Sequence, residues 1–186
     1  MIANWSKAIS LLLVSEGPEL NVNPPGTLAG QGEPGGASRY GVSVSALSDF
    51  YKSIGDAPAT VQSIIDLTES QATLFYRSVT AKACRFDDLP NGIDYTMLDL
   101  TCTLGPSGSA WVLQNVLGIW PFVNSITDQM IATVKTIDPK ILIWSVGSAW
   151  LVKKRMQSDL GWQMHGHGWT NRMNRVRGDA LAMSGA

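Results

Sequence analysis

Trp5-Ser-Lys-Ala-Ile-Ser-Leu-Leu-Leu-Val-Ser-Glu-Gly-Pro18 carries a helix and its stop signal in one stretch. Ile2, Trp5, Ile9, Leu12 and Leu13 recur at three- and four-residue steps, which places them on one face of an α-helix. Gly17-Pro18 cannot continue that helix, so Glu16 falls at its C-terminus. The chain then changes character: from Pro18 to Gly36 it holds four prolines and five glycines without periodicity, the composition of a loop. Val42-Ser-Val-Ser alternates like a short strand or turn, and Ser45 is placed to cap a helix through Phe50 and Tyr51.

Downstream the pattern is helical almost throughout. Residues 60–65 read as a short helical piece, and Thr68 with Gln71 three positions on reads as a capping box before a helix over 69–80. Asp87-Asp-Leu-Pro-Asn-Gly92 is dense in turn formers, and Tyr95, Leu98 and Cys102 give residues 93–104 the spacing of a core helix. Gly105-Pro-Ser-Gly108 breaks it. Further helices are expected over 109–117, 123–136, 141–157 and 171–183, with no internal repeat. The fold class is therefore mainly α (α+β), a multi-helix domain with a small loop or hairpin subregion.

At 186 residues, 45% apolar and 16% charged, the chain suits one globular domain with a sizeable core. Its net charge of −1 gives no footprint for a polyanion, so nucleic acid is not an expected partner. The charge is unevenly spread. Residues 1–150 carry 8 Lys/Arg against 13 Asp/Glu, whereas residues 151–186 carry 6 against 2, an acidic body followed by a basic tail. That tail reads either as a solvated helix face or as a contact with anionic cell wall or an acidic partner subunit. Cys84 and Cys102 lack zinc-site spacing and read as buried free thiols. No classical export signal is present, because the N-terminus lacks a basic region and the apolar run 9–14 is short. Residues 141–152 form the most apolar long segment, but about 12 residues cannot cross a bilayer core of about 30 Å. A buried helix in a soluble protein, with no membrane span, is the expectation.

Three residues stand out chemically. A carboxyl at a helix end, with a second carboxyl and a hydroxyl across a glycine-rich loop, is the set that glycoside hydrolysis uses, and Glu16, Glu33 and Ser38 offer it. A general acid must still hold its proton near neutrality. The apolar run before Glu16 and the negative end of the helix dipole both disfavour its anion. Taken alone, an exposed glutamate at a helix end would read the same way.

Several separated segments carry a resemblance. Ser15-Glu16-Gly17, Glu33-Pro-Gly-Gly-Ala-Ser38-Arg-Tyr40-Gly41-Val42, Ile65-Asp66-Leu67-Thr68 with Ala72 and Tyr76, Leu89-Pro90-Asn-Gly92, Leu98-Asp99 with Gly105-Pro106, Ala110 and Leu113-Gln114, and Gly168-Trp169-Thr-Asn-Arg172 follow one another in a family's own order. Over about residues 5 to 181 the chain resembles the glycoside hydrolase family 108 muramidases, lysozyme-like endolysins and wall hydrolases of phages and bacteria. The resemblance implies a lysozyme-like domain over 1–186, with a catalytic core over 1–140 and C-terminal helices with the basic tail over 141–186. It makes Glu16 the catalytic glutamate. Three departures accompany it: Pro18 replaces the second glycine of Glu-Gly-Gly, Glu33 and Ser38 replace an aspartate and a threonine, and Pro24-Pro-Gly-Thr-Leu-Ala-Gly30 lengthens the loop between the carboxyls.

By the resemblance, Glu16 protonates the leaving oxygen between N-acetylmuramic acid and N-acetylglucosamine, while Glu33 and Ser38 hold or deprotonate the attacking water. Inversion is expected for carboxyls roughly 6.5–9.5 Å apart, and a covalent route for a pair nearer 5 Å. Tyr40 and Gly41 would line the floor of the groove, and Gln114 reads either as a groove amide or as a buried helix contact. Asp99 reads as a third carboxylate or as a buried aspartate bonded to neighbouring backbone. His165-Gly-His167 has no third ligand and reads as incidental, so no metal and no cofactor are expected. Trp111, Trp144 and Trp150, at helical spacing, read as core rather than sugar platforms.

The leading function is thus a peptidoglycan hydrolase, a muramidase acting on glycan strands by carboxyl acid/base catalysis. The alternatives are a lysozyme-like structural or wall-binding phage tail protein with weak or no activity, and a lytic transglycosylase. Expected locations are a phage virion (tail) or the host cytoplasm before release to the cell wall, with phage tail or virion proteins as further partners.

Overall fold

A computed structural model describes residues 4–22 and 36–185. The chain forms two compact units, one made of Ile9–Val79 and the other of Met1–Ala8 with Thr80–Ala186.

The first unit is built on the end of helix α1 (Trp5–Glu16) and a three-stranded antiparallel sheet of β1 (Asn21–Val22), β2 (Ala37–Arg39) and β3 (Val42–Ser43), in the order β1-β2-β3. Ser38, in the central strand, stands opposite Asn21 on one side and Ser43 on the other. Helices α2 (Val44–Ser53), α3 (Val61–Ile65) and α4 (Glu69–Phe75) follow. Leu12, Val42, Leu47, Ile64, Leu67 and Phe75 supply its core. Arg39 ties the sheet to its surroundings, donating from Nε to Pro18 O (3.2 Å) and from Nη1 to Ile65 O (2.8 Å).

Local signals account for these boundaries. Gly17 takes φ +74° and donates its N–H to Leu13 O at 2.9 Å, which closes the last turn of α1 in the left-handed conformation that glycine tolerates. Ser43, not Ser45, caps α2, its Oγ accepting from the Ala46 amide. The shift of two residues arises because the strand ends at Ser43 and leaves it extended, the conformation an N-cap needs. Thr68 and Gln71 form the expected capping box. The helix expected over 69–80 is α only as far as Phe75, and Tyr76–Ala81 continues as a π-helix.

The second unit is helical. A 3-10 turn (Phe86–Asp88) leads into α5 (Ile93–Leu117), followed by α6 (Asp128–Val134), α7 (Pro139–Gln157) and α8 (Asp159–Ser184). Helices α5, α7 and α8 pack on one another, and α6 packs on α5. The break expected at 105–108 is a kink: Gly105 has φ 72° and ψ 172°, and helical geometry resumes at Pro106. The helix expected over 123–136 begins only at Asp128, where Thr127 caps it. The last helix, expected over 171–183, starts at a Ser158 cap and runs through the glycines without interruption, so that His165 and His167 lie within α8. No group of three or more His, Cys, Asp or Glu able to hold a metal is present among the described residues.

Buried side chains fix the bundle. Leu98, Leu113, Ile143, Val146, Trp150 and Met173 lie inside. At Gly147 an added β-carbon would stand 2.7 Å from Met173 Sδ, so its absence lets α7 and α8 approach closely. Asp99, fully buried, pairs with Arg172 of α8 at 2.8 Å. It is thus engaged by an ion pair across the bundle. The apolar segment at 141–152 is only half buried, a correction to the expected interior helix. Leu142, Ile143, Val146 and Trp150 face inward, whereas Ile141, Trp144 and Val152 are more than half exposed. Of the three tryptophans expected in the core, only Trp150 is fully enclosed. Among the described residues, no helix is long and apolar enough to cross a membrane. Cys84 is buried, which pushes its thiol up to about 12, whereas Cys102, expected in the interior, is only half-buried.

Candidate active site

Glu16 is the last residue of α1, and the turn between β2 and β3 comes up against it. That turn is Tyr40-Gly41, both with positive φ, 51° and 73°. A β-carbon placed on Gly41 would stand 2.5 Å from Glu16 Oε2 and 2.6 Å from Tyr76 Oη. The Glu16 carboxylate and the Tyr76 hydroxyl therefore occupy the space that any other residue at 41 would fill. Tyr76, at the start of the π-helix and 1% exposed, donates its hydroxyl to Tyr40 O at 2.8 Å. That bond fixes the strained turn on one side while Glu16 approaches from α1. The arrangement is a half-buried carboxylate on a glycine surface, held between a helix terminus and a locked hairpin turn.

Tyr40 has a second surface. Its side chain lines a pocket of about 200 Å³ with Ser10, Leu13, Val14, Pro18 and Glu69, and the Arg39 guanidinium lies 5.4 Å from its ring centroid. Gly41 is exposed, so the turn presents backbone to solvent next to the carboxylate. Ser38 lies in β2, two residues before Tyr40, and is 3% exposed, a buried hydroxyl rather than an open one. Glu33 lies outside the described residues.

Gln114 is corrected by its surroundings. It sits on α5 with no exposed surface, its Nε2 donating to Val123 O at 2.5 Å and Ala110 O at 3.2 Å, and its Oε1 accepting from Val123 N at 2.8 Å. Both ends of the amide are engaged by backbone, so it pins the 118–125 loop, and with no exposed surface it does not face a groove. Tyr76 is the residue that a reading for catalytic groups passed over. An aromatic at helical spacing looks like core, and only the paired position of Gly41 gives its hydroxyl a task.

A small antiparallel sheet against helices, with a glutamate at the end of the first helix facing the hairpin turn, defines a lysozyme-like fold. The glycosyl hydrolase 108 profile matches residues 13–105, half of the chain, and the chain belongs to that family. SagA of Brucella abortus, a solved structure, is similar at 28% identity and a TM-score of 0.82, over 99% of this chain and 97% of its own. No curated protein matches the sequence. Family and fold together support a peptidoglycan-hydrolase-like function.

Proposed function

We propose that the protein is an N-acetylmuramidase that cleaves the β-1,4 bond between N-acetylmuramic acid and N-acetylglucosamine in peptidoglycan glycan strands. The observation that carries this reading is the Glu16 carboxylate seated on Gly41 beside the Tyr76 hydroxyl. Glu16 acts as the general acid, passing its proton to the glycosidic oxygen as the bond to the anomeric carbon breaks. Gly41 lets the glycan backbone come close to that proton, and Tyr40 forms part of the floor on which a sugar rests. Glu33 takes the opposite role and holds the attacking water, which loses its proton to the Glu33 carboxylate, while the buried Ser38 backs the strand that leads into the turn. The departure from aspartate to glutamate at 33 keeps an acceptor of the same type with a longer reach.

The test is release of reducing muropeptides from purified cell walls by wild type, Glu16→Gln and Glu33→Gln. Removal of a general acid costs roughly 10²- to 10⁴-fold, so Glu16→Gln should release close to nothing at matched concentration. Equal release by wild type and Glu16→Gln sinks the assignment, and no release by any of the three sinks the enzyme. The products also separate the reactions: anhydro ends would make the protein a lytic transglycosylase, and reducing ends a hydrolase. Carriage on a phage virion, or storage in a host cytoplasm before release to the wall, belongs to the same proposal. It is tested by detecting the chain in purified particles against lysate.

A further inference from the structure

A second cavity lies wholly within the helical unit. The kinked second half of α5, the 118–125 loop and α7 border an open pocket of about 300 Å³ lined by Ser107, Trp111, Phe122, Asn124, Lys153 and Gln157 among others. Its wall is aromatic: the Trp111 and Phe122 rings are 6.0 Å apart and inclined by only 30°, and Trp120 packs on Phe122 with centroids 3.9 Å apart. Trp120 is 69% exposed, so these rings are displayed rather than used to fill a core. The display is built from below. Gln114, fully buried, clamps the Val123 backbone in both directions and so holds the loop that carries Trp120 and Phe122.

One cation completes the cavity. Lys153 Nζ stands 4.1 Å from the Trp111 ring centroid and has no ion-pair partner among the described residues. Aromatic faces set side by side at a shallow tilt offer a platform to the apolar C–H face of a pyranose, and the rim of amides and a hydroxyl suits its ring hydroxyls. An unpaired ammonium on the same wall adds a preference for an anion. We infer that this cavity is an accessory binding site for an acidic saccharide, the sugar ring lying on the Trp111 and Phe122 wall and its carboxylate on Lys153. That the saccharide is a glycan with lactyl carboxylates rests on the proposed function; the preference for a charged over a neutral sugar does not.

Binding is measured by titration calorimetry on full-length protein carrying Glu16→Gln, so that no chain is cut. The probes are peptidoglycan strands stripped of stem peptides, which carry free lactyl carboxylates, and neutral chitooligosaccharide of equal length. Lys153→Met should weaken the anionic strands by about tenfold, the scale of one charge-assisted contact, and leave the neutral chain unchanged. Phe122→Ala should weaken both. Lys153→Arg should retain the preference for the anionic strands, and thermal midpoints near that of the parent show that the variants fold. Equal affinity of Lys153→Met and parent for the stripped strands overturns the inference, as does failure of the parent to bind either probe. Neither result bears on muropeptide release by wild type, so the accessory site and the catalytic reading fail separately.

Discussion

Gly41 meets two demands that no other residue satisfies together. Its φ of +73° costs an L-residue roughly 1 kcal/mol or more, and a β-carbon would stand within 2.6 Å of both Glu16 Oε2 and Tyr76 Oη. Gly41→Ala must therefore push the carboxylate, the hydroxyl or the turn aside. A loss of about 2 kcal/mol in urea unfolding is expected from strain and displacement together. Muropeptide release should fall at least tenfold at a temperature where the variant stays folded, because about 1 Å of misplacement at a proton donor is costly. Unchanged release would mean that the carboxylate does not need its present position. Tyr76→Phe is the milder probe. It removes the bond to Tyr40 O and should cost about 1 kcal/mol, with a fall in release that exceeds what partial unfolding explains. Glu16 could be read in the sequence because Gly17-Pro18 marks where its helix ends. Tyr76 could not be, since its meaning depends on a turn 36 residues earlier.

At the level of elements, most signals confined to one turn of chain survive from sequence to structure, the cap that falls at Ser43 instead of Ser45 being an exception, and those that depend on a distant partner do not. The capping box at Thr68 and Gln71, the stop at Gly17 and the kink at Gly105 are complete within a few residues, and each stands where its residues place it. The π-helix from Tyr76 and the uninterrupted α8 are set by packing and carry no local mark. Gln114 belongs with these. An amide on a helix reads equally as groove or interior, and its role is decided by the return of Val123 to α5. Gln114→Leu keeps the volume and deletes the clamp, leaving the Val123 N–H and C=O without their partner. A cost of about 1–3 kcal/mol is expected, or a fall of roughly 2–4 °C in thermal midpoint for each kcal/mol in a chain of this length. Amide exchange at Val123 should quicken in step. Protection that stays unchanged would show that the loop is held by its aromatic contacts instead.

Among the described residues, buried charge is concentrated in α5 and α8: Asp94 and Asp99 are at most 1% exposed and Arg177 is 7%. The three are held in different ways, and the buried Arg177 Nε has no hydrogen-bond partner among the described residues. Arg177 gives Nη2 to Ser148 Oγ and Trp144 O, and burial lowers its pKa. Asp94 accepts from the Gly92 and Tyr95 amides at the start of α5 and from Asn4, yet burial outweighs these bonds and raises its pKa above the ordinary 3.8. A raised carboxyl pKa means that the fold binds this proton more tightly than the unfolded chain does. Its contribution is fully present below pH about 4 and is lost as the pH climbs through the folded value. Asp94→Asn keeps an acceptor and removes the titration. Its stability relative to wild type should therefore improve as urea unfolding is moved from pH 3 to pH 7, and a constant difference would refute the assignment. Asp99 and Arg172 behave otherwise, because two opposite charges answer each other between α5 and α8. Leu98-Asp99 lies within the stretch that the family profile matches, and the pairing with α8 gives that aspartate a structural reason. Arg172→Met strands a carboxylate inside the bundle and should cost about 3–5 kcal/mol, whereas joining it to Asp99→Leu removes the stranded charge and should recover most of that loss. Urea unfolding of the two single variants and the double one at pH 7 measures the coupling directly. Additive losses would show that the pair is not a unit, and a recovered double variant that still releases muropeptides would separate its structural task from the chemistry at Glu16.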